Sequence, residues 1–278
     1  MDRFGKDILY HYTDFQAVDG ILRCAQLRVN NVLRMNDSAE MRHFMKGLCS
    51  AVVERLEQEG RQEQVEAVQD LFQEEMKKEY SAFAACFSFY RDDAAQWERY
   101  GNRGRGICIG LRREHLQRIA KGALSLQTVF YRDDMAGHPM VEVFCRLIEE
   151  GVPLSGEDPA VRKAMRDAWA CSVSFKHPSF SSENEMRLVV SPFGQEGLDL
   201  KPCYHVTKER IKKYYPLDLR GMCEEIQVGM EDLVSEIIIG PGSTQSAAIF
   251  QDYLRDNGLP SLADRVSLSD CPLRGMYL

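Results

Sequence analysis

Between Ser81 and Tyr90 the chain alternates Phe83, Ala85, Phe87 and Phe89 with smaller residues, the period of a strand whose aromatic face must be covered. Such a strand needs neighbouring strands and at least one layer of helices. The surrounding sequence supplies both. Short apolar runs predict strands at Ile8 to Tyr12, Leu27 to Val32, Gly106 to Leu111, Glu185 to Ser191, Lys213 to Leu219, Glu225 to Val228, Ile237 to Ile239 and Arg265 to Leu268. Helical spacing is strongest in Met41, Phe44, Met45, Leu48, Val52 and Leu56, with Gly60 as the stop. It recurs in Val65, Val68, Phe72 and Met76. Shorter helices are predicted after Asp93, over Glu114 to Lys121 and Val141 to Glu150, and over Ala160 to Cys171, where Asp158 caps and Pro159 takes the first turn. The irregular order of strands and helices predicts an α+β fold: a mixed or antiparallel split β-sheet flanked by helices. One domain over residues 1–278 is expected, with a helical insertion at about 38–79.

Two polar motifs break this apolar pattern. Tyr10-His11-Tyr12-Thr13 closes the first strand, and Glu183-Asn184-Glu185-Met186-Arg187 opens a late one. His11 offers a hydrogen-bonding ring, Tyr12 a stacking face and Thr13 a hydroxyl, while residues two apart such as Glu183 and Glu185 share a strand face. Breaking an N-glycosidic bond needs such a set, because the positive charge that develops on the sugar is stabilised by a nearby carboxylate. Glu185 is the preferred carboxylate and Glu183 the general base. Each residue also has a structural reading. His11 suits a core histidine, Thr13 with Gln16 suits a helix cap, and Arg187 suits an ion pair with either glutamate. Asp37 and Glu40 suit a helix start, which leaves Asn36 as a pocket residue. Trp97 and Tyr100, three apart on a helix, either pack as core or stack on a base.

Other features narrow the class. Nine cysteines with no Cys-x-x-Cys spacing argue for reduced, mostly buried thiols. No metal site is expected, since the histidines lack metal spacing and no acidic cluster suits a magnesium-dependent nuclease. A net charge of −7 works against general nucleic-acid binding, although a local basic patch can survive. No stretch approaches the roughly 18 apolar residues of a membrane span, and no leader-like apolar core follows Met1, so a cytoplasmic protein is expected. The arginines at 99, 103 and 105, interleaved with Gly101, Gly104 and Gly106, form either a phosphate loop or a solvated turn. Ile239-Gly240-Pro241-Gly242-Ser243 reads as a tight turn with Ser243 capping the next helix.

Taken in order, Tyr10 to Thr13, Met35-Asn36-Asp37 with Glu40, Cys86-Phe87-Ser88, Trp97 and Tyr100 before Gly106 to Gly110, Glu183 to Arg187 and Ser269 to Arg274 resemble a bacterial domain-of-unknown-function family. That family, twenty-nine seventy-one, includes AbiGi-type abortive-infection proteins. The opening His-Tyr-Thr and the late glutamates also resemble the ADP-ribosyltransferase superfamily, whose members cleave NAD. That resemblance implies an ADP-ribosyltransferase-like fold and NAD as substrate. It places His11 on the NAD ribose, Tyr12 on nicotinamide and Glu183 or Glu185 on the nicotinamide ribose, with Ser88, or Ser172 and Ser174, as candidates for the middle strand. Thr13, Asn36, Trp97, Tyr100 and Arg187 complete the expected lining. The implied function is ADP-ribose transfer or NAD hydrolysis in a phage-defence or toxin effector, with the acceptor unspecified. The alternative is a non-catalytic interaction or sensor module.

Overall fold

The computed structural model describes residues 7–32, 40–78, 80–132, 134–190, 200–206 and 210–273. Its centre is β3 (Phe83–Ser88), buried on both faces. Along one edge β3 pairs over its whole length with β8 (Glu185–Val190), in the register Cys86 to Arg187 and Ser88 to Glu185. Beyond β8 lies β5 (Leu124–Thr128). The other edge of β3 is shared. Asn30 and Asn31 of β2 (Gln26–Asn31) pair with Ala84 and Phe83 at one end, and Tyr10 of β1 (Ile8–Thr13) pairs with Ser88 at the other. The sheet therefore forks. One arm runs from β1 through β4 (Ile107–Arg112) and β11 (Val234–Ile239) to β12 (Val266–Leu268), and the other from β2 through β10 (Ile211–Asp218) to β9 (Cys203–Val206). The pairing is antiparallel except for β11 with β12 and a separate parallel pair, β6 (Phe130–Tyr131) with β7 (Phe175–Lys176). The protein thus has mixed α and β structure with a largely antiparallel sheet flanked by helices.

Alternation along the strands divides the interior. Phe83, Ala85, Phe87 and Leu188 face α1 (Phe15–Leu22), α5 (Arg113–Ile119), α8 (Leu219–Glu225) and α10 (Ala247–Asp256). Ala84 and Val189 face a helical layer of α2 (Glu40–Gln58), α3 (Val65–Lys77), α6 (Pro139–Glu149) and α7 (Pro159–Ser172). A buried phenylalanine such as Phe83 or Phe87 stabilises the fold by about 1.5–3 kcal/mol through area removed from water. The helices expected between residues 38 and 79 are present as α2 and α3, and they share their core with α6 and α7.

Caps explain several helix starts. Asp158 accepts from the amides of Ala160 and Val161, and Asp93 from that of Gln96 at the start of α4 (Ala94–Arg99). At α1 the cap is Asp14, which accepts from Ala17; Thr13 is instead the last residue of β1. The strand expected at Glu225 to Val228 is the end of α8 and a turn, because the chain there closes on Cys223. Unpredicted are β5, β6, β7 and β9, α8 and the one-turn helices α9 (Met230–Leu233) and α11 (Pro260–Ala263). Asn36, Asp37 and the turn expected at Pro192 to Gly197 lie outside the described residues.

The two glycine loops pack on each other. Gly240 and Gly242 donate their amides to the carbonyls of Gly106 and Gly104, and a Cβ on Gly240 would sit 2.4 Å from the Gly104 oxygen. These amides are consumed by the fold, so the loops are structural. Ser243 accepts from Gln245 inside its own turn, and α10 starts later, after Ser246. All nine cysteines are free, but only Cys108, Cys145 and Cys223 are buried, and Cys24 is exposed, which corrects the expectation of mostly buried thiols. Among the described residues no helix is long and apolar enough to cross a membrane, and no group of histidine, cysteine, aspartate and glutamate is placed to hold a metal ion.

Candidate functional site

Where β1 and β2 part from β3, backbone groups of the central strand lose their partners. His11 fills part of that gap: its Nδ1 lies 2.8 Å from the Cys86 carbonyl. A carbonyl only accepts, so Nδ1 carries the proton and Nε2 is left as an acceptor. Burial pushes the imidazole below its ordinary value, against the opposing pull of the Cys86 carbonyl and Asp14. The ring packs 5.7 Å from Phe87.

The fork opens into a cavity of about 710 Å³, within the size range of small-molecule and cofactor sites. Residues of both sheet faces line it, Ala17, Ile21 and Leu27 from one side and Gln26, Arg28 and Asn30 from the other. The structure therefore brings together His11, Tyr12, Thr13, Ser88, Tyr100, Glu183, Glu185 and Arg187 from segments far apart in sequence.

The glutamates do not sit as expected. Glu185 begins β8, but Glu183 ends a 3₁₀ turn, Pro178–Glu183, and Asn184 between them is left-handed at φ 42°. Asparagine tolerates that conformation, which bends the chain between the two acids. Both carboxylates still reach one cation, Lys176 on β7, whose Nζ lies 2.5 Å from Glu183 Oε2 and 3.4 Å from Glu185 Oε2. Glu183 also accepts from the Tyr100 hydroxyl at 2.7 Å and from Arg99 at 3.3 Å. Glu185 is gripped by Arg187 through two bonds of 2.9 Å, and a further Arg187 nitrogen donates to the Val173 carbonyl at 2.7 Å.

Backbone bonds fix the acids in place. The Glu185 amide donates to the Tyr131 hydroxyl, and its carbonyl accepts from Val129. The Glu183 carbonyl accepts from Ser88 Oγ and Gln96 Nε2, each at 3.0 Å. All four charged side chains are buried: Lys176 and Glu183 are 3% exposed, Glu185 6% and Arg187 1%. Burial alone would raise the Glu185 carboxyl, but the charge and hydrogen bonds of Arg187, with Lys176 and the Cys86 thiol, hold it below its ordinary value. It is an ionised carboxylate at neutral pH. The Cys86 thiol beside it is pushed well up, first by burial and then by the Glu185 charge, so it is no nucleophile.

Other expected residues are placed differently. Trp97 is fully buried, donates to Asp92 at 2.7 Å and meets Tyr12 edge to face at 4.8 Å; it packs in a small core with Tyr10, Cys108 and Ile238 and does not line the cavity. Tyr12 lines the cavity, but its ring abuts Trp97 and its hydroxyl donates to the Tyr90 carbonyl and accepts from the Asp93 amide. Ser172 and Ser174 hydrogen-bond Trp169 and Gln127 away from the cavity. Of the arginines in the glycine loop, Arg99 lines the cavity and the two at 103 and 105 do not.

Most of the remaining lining carries no motif that marks it in the sequence. The wall formed by β2, β10 and β9 carries Arg28, Arg210, Lys212 and Lys213, with Arg28 stacked on the Tyr214 ring at 4.8 Å. Counting Arg99, Lys176 and Arg187, seven cationic side chains among the described residues line the cavity, against the carboxylates Asp14, Glu183 and Glu185. In a chain of net charge −7, these side chains make the described lining locally positive.

A family model described as "protein of unknown function (DUF2971)" matches residues 96–188. The matched stretch contains Tyr100, Lys176, Glu183, Glu185 and Arg187, and ends before the cationic wall of β10 and β9. No curated protein and no solved structure matches the chain.

Proposed function

We propose that the cavity binds NAD and acts in the manner of an ADP-ribosyltransferase, transferring ADP-ribose or hydrolysing NAD. The observation that carries this reading is the meeting of His11 with Glu183 and Glu185 in one cation-rich cavity large enough for a dinucleotide. The diphosphate pairs with the wall cations. His11 Nε2 accepts from a ribose hydroxyl, and the nicotinamide end points to the cavity floor, formed by Lys176, Glu183, Glu185 and Arg187. When the bond from ribose C1′ to nicotinamide nitrogen breaks, its electron pair leaves with nicotinamide and positive charge grows on the ribose. The ionised Glu185 stabilises that charge more in the transition state than before it. A water or acceptor hydroxyl then attacks C1′ and yields its proton to Glu183.

Four acidic and basic side chains buried together support this reading further, because well-packed apolar residues would stabilise a fold as well or better, and such clusters concentrate at functional sites. The same cluster favours a second reading. Every carboxylate oxygen in it already faces a cation or a hydroxyl, as expected of a non-catalytic module whose polar network only holds the fold together.

The test is release of nicotinamide from labelled NAD by the wild-type protein and by Glu185→Gln and His11→Ala variants verified as folded. Release that the variants lose supports the enzymatic reading. A folded wild type that neither releases nicotinamide nor binds NAD at millimolar concentration leaves the non-catalytic module, which also fits the resemblance to abortive-infection proteins; an NAD-consuming activity fits a phage-defence effector.

A further inference from the structure

The two carboxylates of the floor differ in what they have left to offer. An ionised carboxylate has about four lone-pair sites. On Glu185, Arg187 takes a site on each oxygen, Lys176 shares Oε2 and the Cys86 thiol donates as well. Its capacity is filled, so it acts on a substrate through charge alone. On Glu183, the Tyr100 hydroxyl and Arg99 occupy Oε1, and Lys176 occupies Oε2. Among the described residues that leaves Oε2 with room for one further donor. The Glu183 carbonyl is tied to Ser88 and Gln96, so the carboxylate cannot swing out to meet a donor elsewhere.

Access sets the size of that donor. Glu183 is 3% exposed, and the cavity of about 710 Å³ that it faces suits one cofactor-sized ligand. A hydroxyl, guanidinium or base carried on a macromolecule would have to follow the dinucleotide into the same space with its backbone attached. A water molecule needs only about 30 Å³. We propose that the acceptor is water held by Glu183, so that the cavity hydrolyses NAD and transfers ADP-ribose to no macromolecule. This inference rests on the NAD reading above and names its second substrate. The water donates one hydrogen bond to Glu183 Oε2. As the bond from ribose C1′ to nicotinamide nitrogen breaks, nicotinamide leaves with the electron pair, the water oxygen bonds to C1′, and the water proton passes to Glu183 and on to solvent. NAD and water become ADP-ribose, nicotinamide and a proton.

The experiment follows adenine-labelled NAD with the full-length wild-type chain, alone and with methanol, with agmatine, which carries the guanidinium of an arginine side chain, or with a single-stranded oligonucleotide. Free ADP-ribose is expected in amounts equal to the nicotinamide released, with agmatine and the oligonucleotide left unlabelled, while methanol, small enough to take the place of water, captures a share that grows with its concentration. Label that passes to agmatine, to the oligonucleotide or to the protein itself in competition with water overturns the inference and leaves NAD cleavage standing. A folded protein that releases no nicotinamide removes the underlying reading as well. A second measurement uses Glu183→Gln, checked for folding by circular dichroism. Its turnover is expected to fall at least about a hundredfold, the usual share of a general base, and to be restored by azide, a small nucleophile with no proton to give up. A loss that azide leaves unrepaired takes the base away from Glu183 and overturns the inference.

Discussion

The floor and the wall of the cavity are both charged, but they are built in opposite ways. At the floor, Lys176, Glu183, Glu185 and Arg187 are buried and satisfy one another. On the wall, Lys212 and Lys213 stay exposed, and among the described residues no carboxylate lining the cavity shares their strand. Charges of the first kind are coupled to folding, since removing one strands its partner in low dielectric. Charges of the second kind cost the fold almost nothing and act on whatever enters. One cavity thus separates a part whose charges are coupled to folding from a part whose charges face solvent.

The largest effect that sharpens the contrast is expected from Arg187→Ala, which leaves the Glu185 carboxylate buried without its bidentate partner. A loss of about 3–5 kcal/mol is expected in urea unfolding; a loss below 1 kcal/mol would show the floor to be wetter than its burial implies. Lys176→Met comes next, at about 1–3 kcal/mol, because Glu185 keeps Arg187 and Glu183 keeps Tyr100 and Arg99.

Acid should act on the cavity in two windows. The His11 imidazole is held below its ordinary 6.5, so the unfolded chain binds the extra proton first and stability falls as pH drops below that value. Glu185 is held below its ordinary 4.5, so its contribution is complete above that pH and is lost as pH falls through the lower folded value. Unfolding midpoints of His11→Gln and Glu185→Gln, measured against pH, should each lack one window. The smallest effect belongs to the wall, where Lys212→Gln is expected to change stability by no more than about 0.5 kcal/mol while weakening dinucleotide binding.

The parts legible in the sequence were those with a period or a cap. Phe83, Ala85 and Phe87 marked β3, the stripe from Met41 to Leu56 marked α2, and Asp158 with Pro159 marked α7. Lys176 was not legible, because it lies in a two-residue strand defined only by its pairing with Phe130 and Tyr131. The wall was missed for a related reason. Arg28, Lys212 and Tyr214 meet only through the register of β2 with β10, and that register is a tertiary property. Asp14 displaced Thr13 as the cap because β1 runs one residue further, pairing Thr13 with Ile107. Trp97 was ambiguous by spacing alone, and its bond to Asp92 with its contact to Tyr12 resolves it as core.

The most direct test of the account is whether an anionic dinucleotide enters the cavity and reaches its floor. Titration of NAD into the wild-type protein, followed through the imidazole resonance of His11, should give a saturable shift that weakens as salt is raised and as Lys212 is neutralised. A His11 resonance that stays unmoved at millimolar NAD, in a protein shown to be folded, would contradict it.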